Sequence, residues 1–198
     1  MVSDETLKGF LLSAYQYWLW GAATNLIKPS PIPGINSYET FSQETPEGRL
    51  TITNYVGGVY STVGTYWVHQ ESTPILQIAN HGAFSEYITD ERVAEINSLI
   101  VEALSTDPNS RIPPEPGITG IIRYDKGDLT YLAQGFGNVW NMDWVEVVVF
   151  ADQSKSFTLD LLEDRERYLS FRQFGFDLLG RDNNWLLYYN FINHHRIR

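Results

Sequence analysis

The sequence predicts an α+β fold of two helix-plus-four-strand repeats, forming one curved antiparallel sheet with both helices packed on its apolar face. Three observations lead there. A strand-like stretch returns at a fixed spacing, and each copy is preceded by an apolar helical stripe and a proline-rich loop. The connections between strands are also too short for parallel crossovers, which need a dozen or more residues. The spacing is 79 residues, from Gly48-Arg-Leu-Thr to Gly127-Asp-Leu-Thr. It sets Leu50 against Leu129, Thr51 against Thr130, Gly58 against Gly137, Tyr66 against Val145 and Val68 against Val147.

The first repeat is placed at residues 6–82. Leu7, Phe10, Leu11, Ala14 and Trp18 make one stripe of a helix over 6–23. Ser3 with Thr6, or Asp4, caps it, and Gly21 is its expected stop. Pro29, Pro31, Pro33 and Gly34 then exclude both helix and central strand. Alternation predicts strands at 38–42, 49–56, 64–70 and 74–80, divided by turn residues at 44–48, 57–58 and 70–74.

The second repeat is placed at residues 90–162. Thr89 or Asp90 caps a helix whose stripe is Val93, Ile96, Leu99, Ile100 and Leu104. Asp107-Pro108 ends it, and Pro113, Pro114, Pro116 and Gly117 form the second rigid loop. Strands are expected at 118–124, 128–136, 143–151 and 156–162. Residues 1–164 thus read as one domain. Residues 165–198 have no counterpart in the first half and read as a hairpin-like extension, with strands at 171–179 and 185–192 around Gly180. A short helix at 168–174 is the alternative. This extension is expected to pack on the domain or to serve assembly.

Strand parity sorts the side chains. Leu50, Ile52, Tyr66, Val68, Leu76 and Ile78, with Leu129, Tyr131, Val145, Val147, Val149, Phe157, Leu159 and Leu161, are assigned to the core face. Thr51, Thr53, Tyr55, Trp67, His69 and Gln77, with Thr130, Gln134, Trp144, Glu146, Thr158 and Asp160, are assigned to the other. That second face mixes large rings with a few hydrogen-bonding groups, as ligand surfaces do. Trp67, Trp144 and Tyr55 are expected to stack on a small molecule or peptide, and His69, Gln134 and Glu146 to orient it. The alternative is a partly solvated face whose tryptophans the extension covers.

Composition narrows the classes. The 198 residues carry a net charge of −10, which argues against a nucleic-acid surface. The charge is uneven: six Arg against three acids give +3 over 165–198, leaving −13 for 1–164. A basic, aromatic segment of this kind suits docking on an acidic body, or contact with a second copy or a host partner. There are no cysteines, so thiolate and disulfide chemistry are excluded. The first residues carry no signal-peptide pattern and no apolar run is long enough for a membrane span, so a soluble cytoplasmic protein without membrane contact is expected.

No phosphate-binding loop, nucleophile elbow or helical zinc motif is present. No cofactor is expected. Gly57-Gly58 reads as a bulge or bend. His194 and His195 are adjacent and diverge in an extended chain, so no shared metal is expected. His69 and His81, with Asp160 or Glu146, are the one candidate acid–base set. Glu146 stands among Trp144, Val148 and Phe150, where a carboxylate marks either a site or a charged edge strand.

Several stretches carry a resemblance: Leu7-Lys-Gly-Phe-Leu-Leu-Ser-Ala14, Tyr55-Val-Gly-Gly58, Gly64, Pro74-Ile-Leu-Gln-Ile-Ala-Asn-His-Gly82 and Tyr124-Asp-Lys-Gly-Asp-Leu-Thr-Tyr-Leu132. Across 7–162 the chain resembles an uncharacterised family of small two-repeat bacterial domains, found alone or C-terminal to helix-turn-helix regulators. The resemblance implies the two-repeat fold and no assigned activity. Thr65 and Tyr66 stand where the family has acidic residues, and Asn80 and His81 where it has tyrosines, which implies a different ligand if the family binds one there. No helix-turn-helix is visible, so DNA binding does not carry over.

Overall fold

The computed structural model describes residues 1–23, 37–57, 61–85, 88–106, 121–152 and 186–197. Among the described residues, two helices and eight strands follow one another as α1 (Asp4–Ala23), β1 (Ser37–Thr45), β2 (Gly48–Gly57), β3 (Ser61–Gln70), β4 (Thr73–Phe84), α2 (Asp90–Thr106), β5 (Ile121–Lys126), β6 (Leu129–Asn138), β7 (Asn141–Phe150) and β8 (Leu186–Arg196). The strands form one sheet in the order β1-β2-β3-β4-β8-β7-β6-β5. Every neighbouring pair is antiparallel.

The helix starts follow from their caps. The Thr6 amide donates to Ser3 Oγ at 3.3 Å and the Leu7 amide to the Ser3 carbonyl at 3.0 Å. At α2, the Arg92 amide donates to Thr89 Oγ1 at 3.3 Å and the Val93 amide to the Thr89 carbonyl at 2.9 Å. Each hydroxyl satisfies one of the amides that a first turn leaves open. Ser3 and Thr89 are therefore the caps. Asp4 instead accepts the indole N–H of Trp140 at 2.7 Å, tying the helix start to the β6–β7 turn. Gly21 does not stop α1, which runs on to Ala23.

The apolar stripes and the inward-facing strand rows meet in one cluster. It holds Leu7, Phe10, Leu11 and Ala14 of α1 with Val93, Ile96, Leu99, Ile100 and Leu104 of α2. Leu50, Ile52, Tyr66, Val68, Leu76 and Ile78 of the first four strands belong to it, as do Tyr131, Trp144, Val148, Tyr188 and Ile192. Phe10 lies 5.7 Å from the ring of Phe41 on β1. Arg92 pairs with Asp128 in the β5–β6 turn and stands 5.5 Å from the Phe150 ring centroid. Lys126 pairs with Glu102. Each fully buried Leu or Ile contributes roughly 1.5–3 kcal/mol, so this row outweighs the exposed ion pairs around it.

One expectation changes most. Among the described residues, the strand that follows β7 is Leu186–Arg196, from the segment read as an extension; residues 156–162, where a strand was expected, lie outside the described residues. So do 171–179 and 168–174. β8 pairs with β4 on one side and β7 on the other, Asn190 facing Gly82 and Glu146. It is an interior strand rather than one arm of a hairpin, and its residues 186–194 are buried on both faces.

Candidate functional site

Side chains directly opposite in an antiparallel ladder share a face. In the first half, parity places them as expected. Thr40, Thr53, Trp67, Gln77 and His195 form one row across β1, β2, β3, β4 and β8. Ser42, Thr51 and His69 form the next row, and Tyr55, Thr65, Ala79 and Asn193 flank the first on its other side. All alternate away from the Ile52–Val68–Leu76 core row. Thr53, Tyr55, Trp67, His69 and Gln77 are half-buried. Ser42 Oγ and Thr51 Oγ1 are 3.0 Å apart, and Gln77 Nε2 reaches Thr65 Oγ1 at 3.5 Å. This is a surface of hydroxyls, amides and imidazoles around an indole.

The second half is turned over. Thr51 faces His69 across its hairpin, and Thr130 faces Val149 across its own. The step is 79 residues on the first strand of each hairpin and 80 on the second. Five residues separate the paired Gly57 and Val63, whereas six separate Phe136 and Asp143. One added residue exchanges the faces of the whole following strand. Tyr66, not Trp67, therefore stands level with Glu146, and Trp144 and Glu146 point to the core face. Val145 and Val147 take the other face, opposite to their expected one, with Leu132 and Phe191 beside them. All four are buried.

The six predicted site residues accordingly fall into three groups. Tyr55, Trp67 and His69 share the half-open face. Gln134 shares its parity but lies on β6, five strand spacings from β2, about 24 Å away. It is fully buried, and neither atom of its amide has a hydrogen-bond partner. Trp144 and Glu146 are 1% and 0% exposed on the core side, where the indole N–H donates to Glu146 Oε1 at 3.0 Å. β7 lies inside the sheet, so Glu146 is not an edge-strand charge.

The candidate acid–base set does not assemble. His69 faces Pro74 and His81 faces Val63, six residues apart along β3, or about 20 Å. His81 instead stands 5.9 Å from the ring of Tyr189. Asp160 lies outside the described residues. His194 and His195 diverge as parity requires. His195 is exposed, while His194 is buried with Nδ1 at 2.8 Å from the Val139 carbonyl. Burial pushes the His194 pKa down to about 4, against the smaller raising effect of that carbonyl. Burial also pushes the Tyr189 hydroxyl well above its ordinary range.

A second polar group was missed. Asn54, Asn80 and Asn190 all have core parity and share the core side of the sheet with Glu146. Asn190 Nδ2 donates to Glu146 Oε2 at 3.5 Å. Asn80 faces Gly64, where a Cβ would stand 2.0 Å from Asn80 Oδ1, so the amide occupies space that only glycine leaves open. The signal was present in the sequence: Ile52-Thr-Asn54, Ile78-Ala-Asn80 and Asn190-Phe-Ile192 each put an amide in step with a buried aliphatic residue.

No described helix is long and apolar enough to cross a membrane. Comparison of the chain with protein-family models, with curated proteins and with solved structures returned no match.

Proposed function

We propose that the protein is a non-catalytic binding module that holds a small molecule or peptide on the half-open face of β2, β3 and β4. Trp67 and Tyr55 would supply the stacking surface, and His69, Thr53 and Gln77 would orient the ligand. The observation that carries this reading is the position of Trp67. A half-buried indole sits at the middle of a row of hydrogen-bonding side chains, on the face turned away from the core. An indole offers a large rigid contact area at low entropy cost, and hydroxyls and amides around it supply direction. A flat, neutral ligand or an extended peptide segment fits this chemistry.

The same proposal includes the origin of the platform. Two copies of one helix-plus-four-strand unit would meet edge to edge at β4 and β8, with both helices on the core face of a curved sheet. The matching element order and the positive φ of Gly48 (112°) and Gly127 (61°), each closing the turn into the corresponding hairpin, support it.

The test is a thermal-shift screen against metabolites and short peptides, repeated on Trp67→Ala. A ligand at a hundred times its dissociation constant adds about 2.7 kcal/mol of stability. Hits that vanish in Trp67→Ala support the reading. Hits that persist unchanged in that variant, or an empty screen, would overturn it.

A further inference from the structure

The two ends of the sheet are built differently. β5, at one end, has six residues and bears Arg123, Asp125 and Lys126, with Arg123 paired to Asp125 at 2.9 Å and Lys126 to Glu102. A short, charged edge resists pairing with another chain. β1, at the other end, has nine residues, Ser37-Tyr-Glu-Thr-Phe-Ser-Gln-Glu-Thr45, with no proline and no base. Its Thr40, Ser42, Gln43 and Glu44 are exposed. The backbone of β1 also has a defined outer side. Arg49 of β2 turns both of its main-chain groups towards β3: the amide donates to Glu71 Oε1 and the carbonyl accepts the Glu71 amide, each at 2.8 Å. Backbone groups alternate sides along a strand, so Gly48, Leu50 and Ile52 turn theirs to Thr45, Gln43 and Phe41 of β1. The main-chain groups of Thr40, Ser42 and Glu44 therefore point outward, where no strand stands among the described residues.

Such a row is matched by an extended chain. A second copy of β1 matches it in an antiparallel register with the two-fold axis at Phe41. That register sets Thr40 against Ser42, Gln43 against Glu39 and Glu44 against Tyr38 of the other copy. Thr40 and Ser42 then form the hydrogen-bonded pairs, as their outward groups require, and the two Phe41 residues meet at a closely spaced position. No like charges oppose each other along the row. Each Phe41 is backed by Tyr17 and Phe10, at 5.5 Å and 5.7 Å between ring centroids, and Tyr17 is 45% exposed. Two copies would close an aromatic cluster that one copy leaves partly open to water.

We propose that β1 is a homodimer interface, at which two copies join edge to edge around Phe41 into one continuous sheet. The test is sedimentation equilibrium of the full chain in about 0.15 M salt, which screens the net charge of −10 on each copy. A concentration-dependent dimer is expected. Ser42→Pro removes an outward N–H and no bond to β2, so it should give a monomer that still melts cooperatively. Gln43→Lys sets a base against Glu39 twice per dimer and should tighten association about fivefold, whereas Gln43→Glu should weaken it about as much. These two variants keep the test decisive if Ser42→Pro fails to fold. Trp67→Ala should remain dimeric, which separates the edge from the Trp67 face. A monomer at every concentration, a Ser42→Pro dimer of wild-type affinity, or equal responses to the two Gln43 variants would overturn the interface.

Discussion

The hairpin β2–β3 and the hairpin β6–β7 begin alike and end differently. Both open on a glycine with positive φ, and their first strands keep step at 79 residues. After the turn, β3 shows Trp67 and His69 to the half-open face, whereas β7 shows Val145 and Val147 to a buried one. A single added residue turns one pattern into the other. The lesson is that two matching ladders need not show the same side chains to the same face.

The largest effect tests what joins the two hairpins. Truncation after residue 185 removes the strand between β4 and β7, and should abolish the cooperative transition in a circular-dichroism melt. A variant that still unfolds cooperatively would mean that the halves are separately stable. It also follows that loss of assembly in a 165–198 deletion cannot be read as loss of a docking segment alone.

Next come the two tryptophans. Trp144→Ala opens a cavity in the core and should cost about 3–5 kcal/mol in denaturant unfolding. Trp67→Ala removes a half-exposed ring and should cost about 1 kcal/mol or less. Equal costs would mean that the two faces are not different environments.

His194 and His195 supply the pH comparison. With its folded pKa lowered from 6.5 to about 4, neutral His194 contributes stability that is fully present above pH 6.5. As pH falls below that value, the unfolded chain takes up the proton first, so this contribution declines until about pH 4. Its size is about 3 kcal/mol. His194→Gln should flatten this part of the profile, while His195→Gln on the exposed side should change stability by no more than about 0.5 kcal/mol. An unchanged slope in His194→Gln would reject the assignment.

The smallest effect concerns Gly64. Gly64→Ala forces the Asn80 amide aside and should cost about 1 kcal/mol, and the double variant with Asn80→Ala should recover most of it. A double variant as unstable as the single one would place the strain in the backbone instead.

Much of the fold was legible because alternation is a local signal. Leu50, Ile52, Tyr66, Val68, Leu76 and Ile78 all lie where period two puts them, and Leu7, Phe10, Leu11 and Ala14 of the first helical stripe are buried, as is the whole of the second. Three things were not legible. The extra residue of the β6–β7 connection changes no composition, so a constant offset carried Trp144 and Glu146 to the wrong face. The uninterrupted run Val147-Val-Val149 was the available warning, since a strand buried on both faces has no polar alternation. The pairing of β8 is non-local, and nothing within 186–196 names β4 and β7 as its neighbours. Finally, Asn54, Asn80 and Asn190 look like ordinary surface amides until register puts them on the core side.

The position of β8 has a consequence for how this chain becomes a protein. Gly82 waits for Asn190, and the strands on either side of β8 are both complete before residues 186–196 leave the ribosome. Until then the nascent chain carries two open edges, those of β4 and β7, each able to recruit another chain. Contacts of such long sequence separation form slowly because the loop must close first. A chain stalled or cut short of residue 186 is thus the species of this protein most exposed to aggregation.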